Sequence, residues 1–355
     1  MTTHPLLEQA QLHGTPLIEG DRVTFVWKGA TAPQLTSDFN GWGDDSAGAA
    51  QLQQIADGVW TYQTTLPADA YIEYVFTTDP DDEDKRVLDP FNRRQVSNGL
   101  NRNNNYFSMP SRSANLMVEF MSNTAQGSVT RHAIYHPFLL SGERRDIWLY
   151  QPPTDAPAPL LVVFDGKDYL RRANITQILA NLMAMGRIKP VALALVDNAR
   201  AHRYLEYNAS DTVLAQITEL VMPLAYNNLN LIDHDANPGS WAVLGASMGG
   251  LMALYAGLRL PHIFGKVICQ SGAFQLDLTD HRPVIEQLVN VLPRPGLKVW
   301  QDVGTLEFLR DQNQRMNALL GSKGYDVTYR EFNAGHNWTA WRDMLPAAFT
   351  TLFSA

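Results

Sequence analysis

A six-residue run, Gly245-Ala246-Ser247-Met248-Gly249-Gly250, follows the apolar segment Trp241 to Leu244 and opens the helical-looking stretch Leu251 to Leu260. A serine hydroxyl is a poor nucleophile until it is held out of the chain's own hydrogen bonding, and a sharp strand-to-helix turn does this at the expense of strained backbone angles. Gly245 and Gly249 carry no side chains to collide where strand and helix meet, and the Met248 N–H is placed to receive a developing oxyanion. The predicted chemistry is acyl transfer through Ser247. A tight turn that merely contains a serine is the competing reading, and the strand before and helix after argue against it.

Such a serine needs a base, and in the chain order of this kind of site the acid and then the histidine follow the nucleophile. Three of the nine histidines do so. His262 follows Pro261 at a helix end, and His281 sits in the polar turn Asp280-His281-Arg282-Pro283; both read as surface turn residues. His336, in Asn333-Ala334-Gly335-His336-Asn337-Trp338 after the last strand-like run, is the expected base, with Gly335 allowing a tight turn. Asp302 and Glu307 are the candidate acids. Glu307 is preferred because it lies beyond the strand Lys298 to Val303, where a carboxylate can reach the far imidazole nitrogen and fix its tautomer. A Glu in a first helical turn is also favoured by the helix dipole alone, and a Ser–His pair without a carboxylate stays open. The second oxyanion donor is expected in Phe164-Asp165-Gly166-Lys167-Asp168-Tyr169, from the amide of Gly166 or Lys167.

The elements around these residues alternate. From Gly127 on, Val129 to His136 and Arg145 to Tyr150 read as antiparallel strands. Leu160 to Phe164, Val191 to Val196, Trp241 to Leu244, Lys266 to Cys269, Lys298 to Val303 and Val327 to Phe332 follow as further strands. Helical stretches fall near 173–185, 211–223, 249–259, 283–291, 307–321 and 339–353. This predicts an α/β fold with a doubly wound, mostly parallel sheet and its site at the strands' carboxyl ends. Residues 1–108 instead read as an all-β sandwich, with short aromatic and β-branched runs such as Val23 to Trp27, Val59 to Tyr62 and Tyr71 to Phe76. A polar, turn-rich linker is expected over 109–128 and the catalytic domain over 129–355.

At 355 residues and 45% apolar content, the chain supports two domains. Lys and Arg number 28 against 36 Asp and Glu, a formal charge of −8, and no basic block suggests a nucleic-acid surface. Met1 to Leu6 lacks the pattern of an export signal, and charges interrupt the longest apolar neighbourhood, so neither secretion nor a membrane partner is expected. The single cysteine, Cys269, lies in an apolar strand-like run, reads as a buried small hydrophobe and is compatible with a reducing cytosol. The acidic run Asp79 to Asp84 lacks calcium-loop spacing and reads as a solvated loop. No cofactor or metal is expected, since no His/Cys/Asp cluster has ligand spacing.

Two resemblances extend this reading. Ser37-Asp38-Phe39-Asn40-Gly41-Trp42, with Asp89-Pro90-Phe91-Asn92, resembles the immunoglobulin-like early-set domains that precede catalytic domains in several hydrolase families. Trp42 and Trp60 could stack on a sugar there, but core or interface packing is the favoured reading. Leu161 to Gly166, Arg203 with Glu206, Gly245 to Gly250, Gly304-Thr305-Leu306-Glu307 and Gly335-His336-Asn337-Trp338 together resemble the enterochelin esterase branch of the esterase D-like α/β-hydrolase family. The early stretch His13-Gly14-Thr15-Pro16-Leu17 and the β-rich region extend the similarity over nearly the whole chain. The resemblance implies a cytoplasmic serine esterase that cleaves ester bonds of a catecholate siderophore or its iron complex, with Ser247 and His336 at the matching catalytic positions.

An anionic, aromatic substrate calls for cations and flat side chains. Arg203, Tyr169, Trp338 and Lys167 are the chosen candidates from a set that includes Arg171, Arg172, Arg200, His202 and Trp341. The competing reading pairs Arg203 with Glu206 in a structural ion pair. A carbohydrate (acetyl or feruloyl) esterase, an acyltransferase and a non-catalytic binding protein on a hydrolase fold are the alternatives.

Overall fold

The computed structural model describes residues 4–43, 48–79, 85–99, 102–122, 124–142, 144–276, 283–292 and 296–355. Residues 80–84 of the acidic run, and His281, lie outside these. By internal contacts the chain divides into two units, the first comprising Met1–Ala114 with Gly304–Phe308 and Glu331–Ala340.

The first unit carries two antiparallel sheets. One orders Leu17–Glu19, Arg22–Lys28, Val59–Thr65 and Gln53–Ala56. The other orders Ala50–Gln51, Gln34–Ser37, Tyr71–Thr77, Asn103–Ser108 and Gln95–Ser97, with Arg86–Val87 paired to Tyr71–Thr77. Val23 and Phe25 from the first sheet share one core with Ile72, Tyr74, Phe76 and Phe107 from the second, and Phe25 meets Tyr74 edge-on at 5.0 Å. Strand Tyr71–Thr77 alternates as a strand must, sending Ile72, Tyr74 and Phe76 into this core and Tyr71 to the opposite face, where it clusters with Ala334 and Ala340. That is why all of Tyr71 to Phe76 is buried. Trp60 packs at the edge of the sandwich core and donates its indole N–H to the Gly29 carbonyl. One element departs from the all-β expectation. Pro5–His13 is a helix, started by Pro at its first position and capped by His4 Nδ1 accepting from the Leu6 N–H, with Leu7 and Ala10 buried on one face.

The second unit, Asn115–Val303, Leu309–Arg330 and Trp341–Ala355, is built on an eight-stranded sheet. We number its strands β1 (Ser128–Tyr135), β2 (Arg144–Gln151), β3 (Leu160–Val163), β4 (Ala192–Val196), β5 (Trp241–Ala246), β6 (Phe264–Gln270), β7 (Lys298–Gly304) and β8 (Asp326–Phe332). They lie in the order β1-β2-β4-β3-β5-β6-β7-β8. The β1–β2 and β2–β4 pairings are antiparallel, while β4, β3, β5, β6 and β7 pair in parallel. Central strands β3, β4 and β5 are buried throughout, as expected for a parallel sheet covered by helices on both faces. From β3 the chain winds to β4 on one side and returns to β5 on the other. The winding therefore reverses between β3 and β5, and the crevice at their carboxyl ends is where such sheets hold ligands.

Candidate active site

Ser247 stands between β5 and the helix Met248–Arg259 at φ 57°, ψ −122°, a conformation that L-residues occupy only when the surroundings force it. The surroundings do force it. Its N–H donates to the Gln270 carbonyl at 2.8 Å, and its own carbonyl accepts the N–H groups of Gly250 and Ala273, both at 3.0 Å. A Cβ on Gly245 would collide with the Gly249 carbonyl, so this turn closes only with glycine there. Met248 is the first helical residue, and an N–H at that position has no acceptor within its own helix.

The turn after β3 is built to the same end. Asp165 adopts left-handed angles, φ 54° and ψ 40°, and Gly166 opens the short helix Gly166–Arg171. The Asp165 carboxylate, 2% exposed, accepts Arg203 Nε and Nη2 at 2.7 Å each and Asn198 Nδ2 at 2.7 Å. The same Arg203 Nη2 donates to the Ala246 carbonyl at 3.3 Å. One guanidinium thus ties the turn carrying Gly166 to the residue before Ser247.

Glu307 and His336 follow β7 and β8 and belong to the first unit. Glu307 Oε2 lies 2.7 Å from His336 Nδ1, and Glu307 Oε1 accepts the Gly304 N–H at 2.8 Å. A carboxylate oxygen only accepts, so Nδ1 carries the proton and Nε2 is the nitrogen able to take one. The acid's side chain is fully buried and the imidazole 20% exposed, with Phe308 packed on the ring at 5.3 Å. Asp302, the other candidate acid, is buried within β7 and accepts Trp300 Nε1 at 2.6 Å and Gln270 Nε2 at 3.2 Å.

Residues 141–352 match the family model described as "Putative esterase". The chain belongs to the putative esterase family. It is a carboxylic ester hydrolase. The iron(III) enterobactin esterase of Dickeya dadantii is 26% identical to this esterase, in an alignment covering 98% of the chain and 92% of that protein. Among solved structures, ferric enterobactin esterase from Salmonella typhimurium superposes with a TM-score of 0.77, and the enterobactin esterase from Shigella flexneri, in the presence of enterobactin, with 0.74. Both are 22% identical, and both matches cover 93% of this chain and 92% of the other. These likenesses establish that the esterase shares their fold.

Within the esterase, several nominated substrate contacts have other work. Tyr169 is 0% exposed and donates its hydroxyl to Gln270 Oε1 at 2.9 Å, so its ring offers no surface to a substrate. Burial pushes that phenol well above its ordinary value. Trp341 is buried and donates to Ser271 Oγ at 2.9 Å. Arg203 is not Glu206's partner. Glu206 is buried against Arg145 at 2.8 Å, while Arg203 grips Asp165. Arg172 pairs with Asp168 four residues back along the helix, whereas Arg171, Arg200 and His202 are exposed. Lys167 and Trp338 are half-buried. Cys269 is buried, with its thiol pushed up by desolvation. Among the described residues no cluster of His, Cys, Asp or Glu could hold a metal ion, and no helix is long and apolar enough to cross a membrane. The Asp165–Arg203 brace escaped the sequence because its partners are 38 residues apart; the only signal was an Asp before Gly166.

Proposed function

We propose that this esterase hydrolyses the ester bonds of a catecholate siderophore, an enterobactin-like trilactone or its iron complex, through an acyl-enzyme on Ser247. The observation that carries the substrate class is the likeness to an iron(III) enterobactin esterase across 98% of the chain. The mechanism draws its support from the strained serine and the carboxylate-paired histidine. Ser247 Oγ attacks the ester carbonyl while His336 Nε2 takes its proton; Glu307 holds the imidazole's tautomer and stabilises the imidazolium. The amides of Met248 and Gly166 receive the oxyanion. His336 then protonates the leaving alcohol, and water releases the acyl group by the same route.

Lys167 and Trp338, which keep exposed surface, supply charge and a flat face to the catecholate. We assign residues 1–108 to an immunoglobulin-like early-set domain, 109–128 to a linker and 129–355 to the catalytic domain, and we place the enzyme in the cytoplasm.

The test is hydrolysis, followed by chromatography, of a catecholate trilactone with and without iron, beside acetyl and feruloyl sugar esters, using wild type and Ser247→Ala. Preferential trilactone cleavage that disappears with Ser247 is the expected result. Cleavage of the sugar esters alone would keep the mechanism and refute the substrate.

A further inference from the structure

Asp38 opens the turn Asp38–Gly43 of the first unit and is 1% exposed. Three N–H groups converge on its carboxylate. The Glu73 backbone donates to Oδ2 at 2.7 Å, Asn337 Nδ2 to the same oxygen at 3.0 Å, and the Trp42 indole to Oδ1 at 3.2 Å. Asn337 directly follows His336, and its Oδ1 accepts the N–H of Ala340 at 2.9 Å, the bond of a helix cap. On the other side of His336 stands Gly335. Its φ lies outside the left-handed region, so no turn demands a glycine there; a Cβ would instead run into the Asp38 carboxyl group. Both chain neighbours of His336 therefore rest on one buried carboxylate contributed by the β-rich part of the unit.

We propose that Asp38 is a positioning residue for the Glu307–His336 pair, fixing the backbone on both sides of His336, so that the amino-terminal β region is a working part of the hydrolytic machinery. The inference rests on the hydrolytic reading given above. The Glu307 carboxylate is the charge that acts on Asp38, and the Tyr71 hydroxyl feels the Asp38 charge in turn; that hydroxyl lies 3.4 Å from Glu73 Oε1 and accepts from Thr339 at 3.2 Å, with the Arg112 guanidinium 4.9 Å over its ring. Among the described residues no Lys or Arg pairs with Asp38. Burial pushes its carboxyl up to about 7, against the N–H groups of Glu73 and Trp42, and the charge of Glu307 adds to the rise. The ionised carboxylate accepts all three N–H groups aimed at it, so the ionised form is the one that holds the loop.

The experiment compares wild type, Asp38→Asn, Asn337→Ala, the double variant and Ser247→Ala. It measures kcat and KM for an aryl ester across pH, together with Tm at alkaline pH. Asp38→Asn should lower kcat roughly 10- to 100-fold, because displacing a catalytic group by about an ångström costs that much. KM should stay within about twofold, since nothing that touches substrate has changed. Tm should change little, because removing a buried charge offsets the donor that the new amide leaves unpaired. The acid limb of the kcat profile should lose the ionisation that Asp38 contributes. The double variant should be no slower than the slower single one, the signature of two residues acting through one bond.

An Asp38→Asn enzyme with wild-type kcat would overturn the proposal. So would a kcat loss that only tracks lost folded protein, or single effects that add in the double variant. A wild type inactive on every ester, or an active Ser247→Ala, would instead bring down the catalytic reading on which the proposal stands.

Discussion

Replacing Arg203 with Met separates two roles that the sequence could not distinguish. A substrate-binding cation would raise KM and leave the fold alone. The structure makes Arg203 a brace instead: it holds Asp165 by two 2.7 Å bonds and reaches the Ala246 carbonyl at 3.3 Å. Its side chain is 25% exposed and that of Asp165 2%, so removing the arginine strands a buried carboxylate with Asn198 as its remaining side-chain donor. Breaking a buried pair costs about 3–5 kcal/mol, and the partial exposure of Arg203 places this one near about 3 kcal/mol. At roughly 2–4 °C per kcal/mol, Tm should fall by roughly 6–12 °C. The turn bearing Gly166, the proposed oxyanion donor, would lose its tie to the serine strand, and a misplaced donor lowers kcat by about 10²-fold or more. Arg203→Lys should recover only part of both losses, because an ammonium cannot make the fork. Asp165→Asn in the Arg203→Met background should recover stability but not kcat. Thermal melts and steady-state kinetics on an aryl ester decide the matter. A raised KM with unchanged kcat and Tm would refute the brace.

Ser247→Gly should abolish turnover yet raise stability by about 1 kcal/mol, read from denaturant melts, because glycine relieves the strain at φ 57°. Glu307→Gln should lower kcat on the order of 10²- to 10⁴-fold with little change in KM, since the amide no longer enforces the Nδ1–H tautomer bonded at 2.7 Å. Stability should depend on pH through Asp38. Between its ordinary value of 3.8 and about 7, the folded protein keeps a proton that the unfolded chain has released. The unfolding free energy contributed by this group therefore falls as pH rises through that window, and urea melts of Asp38→Asn should lose that slope.

The serine turn was legible because all its determinants are local: an apolar strand, small residues at the crossing and a helical run lie within some twenty residues. Strand–helix alternation likewise announced the parallel sheet, since each crossover helix must sit between the strands it joins. Tyr71 to Phe76 was legible as a strand from its aromatic and β-branched residues, although neither its burial on both faces nor what its outer face meets was. The helix Pro5–His13 was missed because a nine-residue segment with two buried apolar side chains gives too little periodicity to outweigh the β-rich stretch behind it.

By itself, then, the sequence determined the alternating strands and helices of the second unit and the residue types able to perform acyl transfer. Only the tertiary structure decided which carboxylate meets His336, that Tyr169 is core, and that Arg203 grips Asp165 and leaves Glu206 to Arg145. It alone set Asp38 against Asn337, 299 residues away. The physical reason is separation along the chain. Periodicity and turn chemistry report interactions within a few residues, whereas the partner of a buried charge is set by which strands become neighbours, and here β4 lies between β2 and β3.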